Sequence, residues 1–147
     1  MVEVRNKSWL SEKLYSVLRK HGVALALVDH AWMPRPREWF ENGDPITADF
    51  TFIRWIGDRK GIEEQTKVWN RTIIDRTDDL REWVEVLQGA SRRVRAIFGI
   101  ANNHFGGFAP DTIELIRKLW SQGQPQNARR ASAPKRSGIL NPRLPGL

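Results

Sequence analysis

Ala96-Ile97-Phe98-Gly99-Ile100-Ala101-Asn102-Asn103-His104-Phe105-Gly106-Gly107-Phe108-Ala109-Pro110 decides the reading of this 147-residue chain. Six apolar residues run without interruption and then give way to two carboxamides and an imidazole. Two glycines follow, and Pro110 opens an amphipathic segment with Ile113, Ile116 and Trp120 on one face. An unbroken apolar run of this length reads as a strand buried on both faces, and proline at a first helical turn reads as a helix start. Strand, polar loop and helix in that order form the repeating unit of parallel α/β folds. In such folds the carboxyl ends of the strands carry the chemistry.

The same unit recurs upstream. Val2–Val4 reads as a short strand leading to Arg5. Ser11 reads as the cap of a helix whose Leu14, Val17 and Leu18 form its apolar stripe and which stops at Gly22. Residues 23–28 are again wholly apolar and end at Asp29. The segment 30–48 contains Pro34, Pro36, Gly43 and Pro45, so it reads as a long connection with a short helix around Arg37–Phe40. Asp49–Ile56 reads as a third strand with Arg54 in its interior. A second long connection, with a helical turn near Glu63–Trp69, leads to a helix capped by Thr77. Its Leu80, Trp83, Val84 and Leu87 repeat at helical spacing, and Gly89 is expected to end it. Val94–Ala101 is the fourth strand. About four βα units with parallel strands are therefore expected, an α/β fold.

Composition narrows the class. The formal net charge is +7, but residues 1–120 hold 19 Lys+Arg against 17 Asp+Glu, whereas 121–147 hold five basic residues and no acid. Beyond Gln122 the chain is rich in Gln, Asn, Pro, Arg and Ser and lacks periodicity. Residues 121–147 are thus expected to be a basic, disordered tail, and nucleic-acid binding through that tail is one reading of the charge. No run approaches the roughly 18–20 apolar residues that span a bilayer. With no cysteine and no secretory signal pattern, a cytoplasmic location is expected.

Five segments in order carry a resemblance. They are Val2-Glu3-Val4-Arg5-Asn6-Lys7-Ser8-Trp9, Gly22–Asp29, Thr47–Arg59, Asp75-Arg76-Thr77-Asp78-Asp79-Leu80, and Asn102-Asn103-His104 running to Pro110. Over about residues 1–120 the chain resembles the carboxy-terminal half of the domain-of-unknown-function-72 family, also called YecE-like. The resemblance implies a TIM barrel of which these residues supply the last four strands, so a partial TIM barrel is expected. The family has no established reaction, and the resemblance names no cofactor. It also implies that the first half of the barrel is missing, as in a truncated or split gene.

The candidate site residues follow from the strand ends. Glu3 and Arg5 share a strand face, and Arg54 shares one with Phe52 and Ile56. Charge within a parallel strand demands a partner, and Glu3 or Asp29 would suit Arg54 or Arg5. Paired guanidinium groups offer bidentate recognition of phosphate or carboxylate, while ion pairs plugging the barrel floor would need no ligand at all. Asp29 could act as a general base or cap the loop after its strand. His104 could exchange protons with Asn102 and Asn103 orienting an oxygen, or all three could serve the loop backbone. Glu3, Asp29, Arg5, Arg54, Asn102, Asn103 and His104 are therefore expected around an anionic, phosphorylated or nucleic-acid-like ligand. No zinc-type spacing is present, and no metal is assigned. Trp83 and Trp120 read as core, and Trp9, Trp32 and Trp69 as loop aromatics. A non-enzymatic half-barrel that self-associates, or pairs with a separate amino-terminal half, is the alternative, because four βα units leave two sheet edges and an apolar inner face bare.

Overall fold

The computed structural model describes residues 1–41 and 43–123. Of the tail expected over 121–147, residues 121–123 are helical instead, and the rest, from 124 onward, lie outside the described residues.

Three strands, β1 (Ala26–Asp29), β2 (Phe50–Trp55) and β3 (Ala96–Ala101), form a parallel sheet in that order. Their register places Ala26 beside Phe52 and Phe52 beside Phe98, then Val28 beside Arg54 and Arg54 beside Ile100. The first expected strand, Val2–Val4, is reduced to one parallel bridge between Val2 and Leu25. The Val2 amide donates to Ala24 O at 2.8 Å, and Val2 O accepts from the Ala26 amide at 2.8 Å. The segment lies where a strand would lie but pairs at one position. The chain turns into the Lys7–Trp9 3-10 turn soon after, with the Asn6 side chain accepting from the Ser8 amide.

Helices connect the strands. α1 (Glu12–Lys20) begins at the expected Ser11, whose hydroxyl accepts from the Leu14 amide, and stops before Gly22 at φ +60°. A 3-10 turn occupies Arg37–Phe40 as expected. α2 (Arg59–Gln65) lies a few residues earlier than the expected turn, because the Asp58 carboxylate caps it by accepting from the Lys60 amide. α3 (Thr77–Ser91) corrects two expectations. Thr77 is its first helical residue rather than its cap, and the Asp75 carboxylate accepts from both the Thr77 amide and hydroxyl. Gly89 does not end it. A side chain there would meet nothing, and Leu87 and Ala90 keep the helix anchored through that turn. α4 (Asn103–Gly106) is a single turn after β3, and α5 (Ala109–Gly123) follows.

The core lies between one face of the sheet and the helices. Along β2, Thr51, Ile53 and Trp55 are buried while Phe50, Phe52 and Arg54 are only half-buried. The buried set joins Leu25 and Leu27, Tyr15 and Leu18 of α1, Leu80, Trp83, Val84 and Leu87 of α3, and Leu119 of α5. Period-two alternation sends the other set to the opposite face. There Phe98 stacks on Phe52 at 5.9 Å and meets Phe50 edge-on at 6.0 Å. On that face β1 is sealed, with Ala26 and Val28 at 0 % exposure, but β3 is open, with Phe98 at 51 % and Ile100 at 45 %. A parallel α/β sheet, bare on the face that would be a barrel's interior, is consistent with part of a barrel.

Candidate functional site

The carboxyl ends of the strands are tied into one rim by backbone contacts. Asp29 O accepts from the amides of Ile56 and Gly57 at 3.1 and 3.3 Å, linking the end of β1 to that of β2. The Asn102 amide donates to Trp55 O at 2.9 Å, linking β3 to β2. Gly57, at φ +75°, lies so close under α4 that an added Cβ would sit 2.3 Å from His104 O. Only glycine permits that approach, and through it the loops carrying Asp29, Asp58 and His104 come together.

Three of the expected residues meet on the open face of the sheet. Arg54 Nη1 donates to Glu3 Oε2 at 2.6 Å, and Arg5 Nε donates to Glu3 Oε1 at 2.8 Å. Two guanidinium groups thus share one carboxylate, leaving one positive charge in excess. Burial acts to raise the Glu3 carboxyl, but donation from Arg5 and Arg54 outweighs it and holds the group below its ordinary value. Glu3 is the more enclosed, with 14 % of its side chain exposed against 26 % for Arg54 and 69 % for Arg5. Glu3 is the fixed point, and Arg5 keeps donors turned to solvent.

His104, Asn102 and Asn103 do not act as one unit. Asn103 Oδ1 accepts from the Ala109 amide at 2.8 Å, capping the start of α5, and Asn102 O accepts from the Phe105 amide to shape the α4 turn. His104 turns to α2, where its Nε2 lies 3.3 Å from Glu63 Oε1, and the Trp69 ring meets its imidazole edge-on at 5.0 Å. Arg59 Nε also donates to Glu63 Oε1, at 2.8 Å. The Arg59 bond, followed by the His104 one, keeps the Glu63 carboxyl below its ordinary value. An imidazole oriented by a carboxylate at a strand end is an arrangement suited to proton exchange.

Asp29 stands apart from both groups. It pairs in register with Trp55 and so faces the helical layer, where Trp83 Nε1 donates to its Oδ2 at 2.5 Å. Burial pushes its carboxyl up, the Trp83 bond opposes that, and the nearby Asp79 adds to it. Asp79 is itself held low against the effect of burial by Arg35 and Arg76. Of the two expected partners for the arginines, Glu3 takes both, and Asp29 takes an indole instead.

Sequence reasoning passed over Glu63, Arg59 and the polar role of Trp83. The first two carry a legible signal, a charge pair at i and i+4 just after a strand. Trp83 shows none, because its spacing is that of a core residue and its N–H finds Asp29 only in three dimensions. Of the loop aromatics, Trp32 is 71 % exposed beside His30 and Trp9 is 62 % exposed. Among the described residues, no three His, Asp or Glu side chains gather where a metal ion could be held, and no helix is long and apolar enough to cross a membrane.

Comparison with known proteins gives the same picture of the fold. Two solved structures are similar. One is a DUF72 family protein of Thermotoga maritima, 25% identical with a TM-score of 0.59 over 80% of this chain and 44% of that one. The other is a DUF72 family protein of Enterococcus faecalis, 18% identical with a TM-score of 0.58 over 84% of this chain and 47% of that one. The chain thus spans less than half the length of each. Among curated proteins, none matches. The model of the protein family of unknown function DUF72 matches residues 1–137, nearly the whole sequence, and the chain belongs to that family.

Proposed function

We propose that the open sheet face and the adjoining rim bind an anionic ligand bearing a phosphate or a comparable oxyanion, with Arg54 and Arg5 as the binding cations. The observation that carries this reading is the sharing of one enclosed carboxylate by two guanidinium groups. Glu3 spends its two oxygens on Arg5 Nε and Arg54 Nη1, so the other donors of both guanidinium groups stay free for a ligand. Arg54 stands one residue before the carboxyl end of β2, next to the rim where a barrel places its ligand. Glu3 fixes the Arg54 fork, and fixed donors recognise an oxyanion with less loss of side-chain freedom. In this reading Asn102 and Asn103 shape the rim, His104 with Glu63 handles a proton there, and Asp29 braces the rim from the helical layer through its bond to Trp83.

Titration calorimetry of the full chain with inorganic phosphate and with a mononucleotide tests the reading. Binding should weaken roughly tenfold to a hundredfold in Arg54→Ala, the loss of one charge-assisted pair. Glu3 keeps Arg5 in that variant, so the fold should persist. Equal affinity of the variant, or no binding of either probe to the parent chain, would leave the arginines as a structural plug.

A further inference from the structure

One aromatic side chain at the rim stands in water and is nevertheless held in place. Trp32 follows β1, which has a neighbour on each side, Val2 on one and β2 on the other, so it belongs to neither edge of the sheet. It is 71 % exposed. The Met33 amide donates to His30 O at 2.9 Å and closes a turn with Ala31 and Trp32 at its tip, and the buried Met33 anchors the far side. The Trp32 amide donates to His30 Nδ1 at 3.4 Å, and the two rings meet at 4.2 Å between centroids, tilted by 41°. Single exposed apolar side chains are ordinary on protein surfaces. A tryptophan fixed by its own turn and by a neighbouring imidazole is more: it is a stacking surface that loses little freedom when a flat ring settles on it.

Strand register relates this surface to the arginines. Val28 stands beside Arg54 on the same sheet face, whereas Asp29 turns to the helical layer. Period-two alternation returns His30 to the arginine side, one repeat nearer the rim, about 7 Å along the strand direction. We propose that the ligand of the arginine face is a nucleoside monophosphate in chemical class, its phosphate on Arg54 and Arg5 and its heteroaromatic ring stacked on Trp32. The inference rests on the oxyanion reading above and adds to it the uncharged part of the ligand. The separation selects the class. A ring attached directly to phosphate is too short to use both places, and a sugar between ring and phosphate supplies the reach. The sugar then lies over the β2 end, with Trp32 on one side and His104 across Gly57 on the other.

Titration calorimetry of the full chain with ribose-5-phosphate and with adenosine 5′-monophosphate tests this, because the two probes differ by the base. The parent should bind the nucleotide roughly tenfold tighter or more, the worth of one stacked base, and that comparison needs no variant. In Trp32→Ala the advantage should vanish while ribose-5-phosphate binds as before, and Trp32→Phe should keep part of it. Trp32 lies outside the core, so the circular dichroism of both variants should match the parent. Arg54→Ala should weaken both probes by the same factor and leave their ratio unchanged, which separates the ring from the oxyanion. Equal binding of the two probes by the parent would overturn the stacking and leave the oxyanion reading standing. A nucleotide advantage undiminished in Trp32→Ala would put the ring elsewhere and overturn it too. If neither probe binds the parent, or if Arg54→Ala binds both as tightly, the oxyanion reading falls and this inference with it.

Discussion

Replacing Trp83 by Phe separates the polar from the apolar work of the rim. The indole is fully buried and its N–H is the side-chain donor to Asp29 Oδ2, at 2.5 Å. Phenylalanine keeps most of the ring's burial in the core but supplies no donor. Leaving a buried charged acceptor without its partner costs about 1–3 kcal/mol, and the smaller ring adds about 1 kcal/mol of lost contact. The total, near 3 kcal/mol at neutral pH, should lower the melting temperature by about 6–12 °C for a chain of this size. The sign of the pH dependence is fixed by Asp29. Its folded-state carboxyl is raised, so its contribution to stability is fully present below its unfolded value and is lost as pH rises through the folded one. Removing the Trp83 bond takes away what favours the charged form. The penalty of Trp83→Phe should therefore be larger at pH 7 than at pH 3, where the carboxyl is protonated and neutral. Asp29→Asn keeps an acceptor for the indole and removes the buried charge, so it should be neutral or stabilising by up to about 2 kcal/mol at pH 7. Urea unfolding of the parent, both single variants and the double variant, at both pH values, measures all of this. A Trp83→Phe penalty equal at pH 3 and pH 7 would show that the ring alone matters and that the hydrogen bond contributes nothing.

Gly57→Ala should cost more than about 3 kcal/mol, since it combines a left-handed φ of +75° with a Cβ 2.3 Å from the backbone of His104; a melting temperature within 2 °C of the parent, taken as roughly the smallest shift about 1 kcal/mol would cause, refutes it. Asn103→Ala removes the side-chain acceptor for the Ala109 amide and should cost about 0.5–2 kcal/mol, visible as early hydrogen exchange in the first turn of α5. The Glu3 carboxyl is held low by its two arginines, so its contribution is present above the ordinary glutamate range, about pH 4, and fades as pH falls through its folded value. Arg54→Ala should shrink that acid-side loss, and an unchanged pH profile of unfolding between pH 2 and pH 5, a window set roughly around the ordinary carboxylate values, would count against the shared-carboxylate geometry.

The fold was legible because its signals are local. The runs ending at Asp29 and Ala101 are long enough to name as buried strands, and Ser11, Gly22 and the Leu80–Leu87 stripe mark helices where the structure has them. The failures share one cause, competition from groups distant in sequence. Gly89 looks like a helix end, but packing of Leu87 and Ala90 carries α3 two residues further. Val2–Val4 has the composition of a strand, yet a strand is defined by its neighbours, and Val2 alone finds one. In the site, alternation put Glu3 with Arg5 and Arg54 with Phe52, and the structure joins the two sets through the Glu3 carboxylate. Alternation gave no such guidance for Asp29 and His104. Asp29 ends an unbroken apolar run, and the donor it meets on the helical side, Trp83, lies 54 positions away; His104 lies past the end of β3, and the Glu63 it turns to lies 41 positions away.

That division has a consequence for the chemistry of the rim. Glu3, Arg5 and Arg54 belong to the sheet face with little cover, Asp29 to the helical layer, and His104 to the seam between α2 and α4. A ligand held by the arginines lies over the strands, so it meets His104 only by reaching across the Gly57 contact. Asp29 is a step further, behind Trp55 and already bonded to Trp83. The excess positive charge and the His104–Glu63 pair can therefore serve one ligand if it is long enough to extend over the β2 and β3 ends. Asp29 serves the stability of the rim whether or not a ligand is there. His104→Ala and Asp29→Asn separate these roles. Under the present reading the first weakens binding of a mononucleotide more than that of phosphate, because only the longer ligand extends to the imidazole, and the second leaves both unchanged. Equal effects of His104→Ala on the two probes would mean that the imidazole acts on the oxyanion itself, and the arginine face would then lie closer to α4 than its strand positions require.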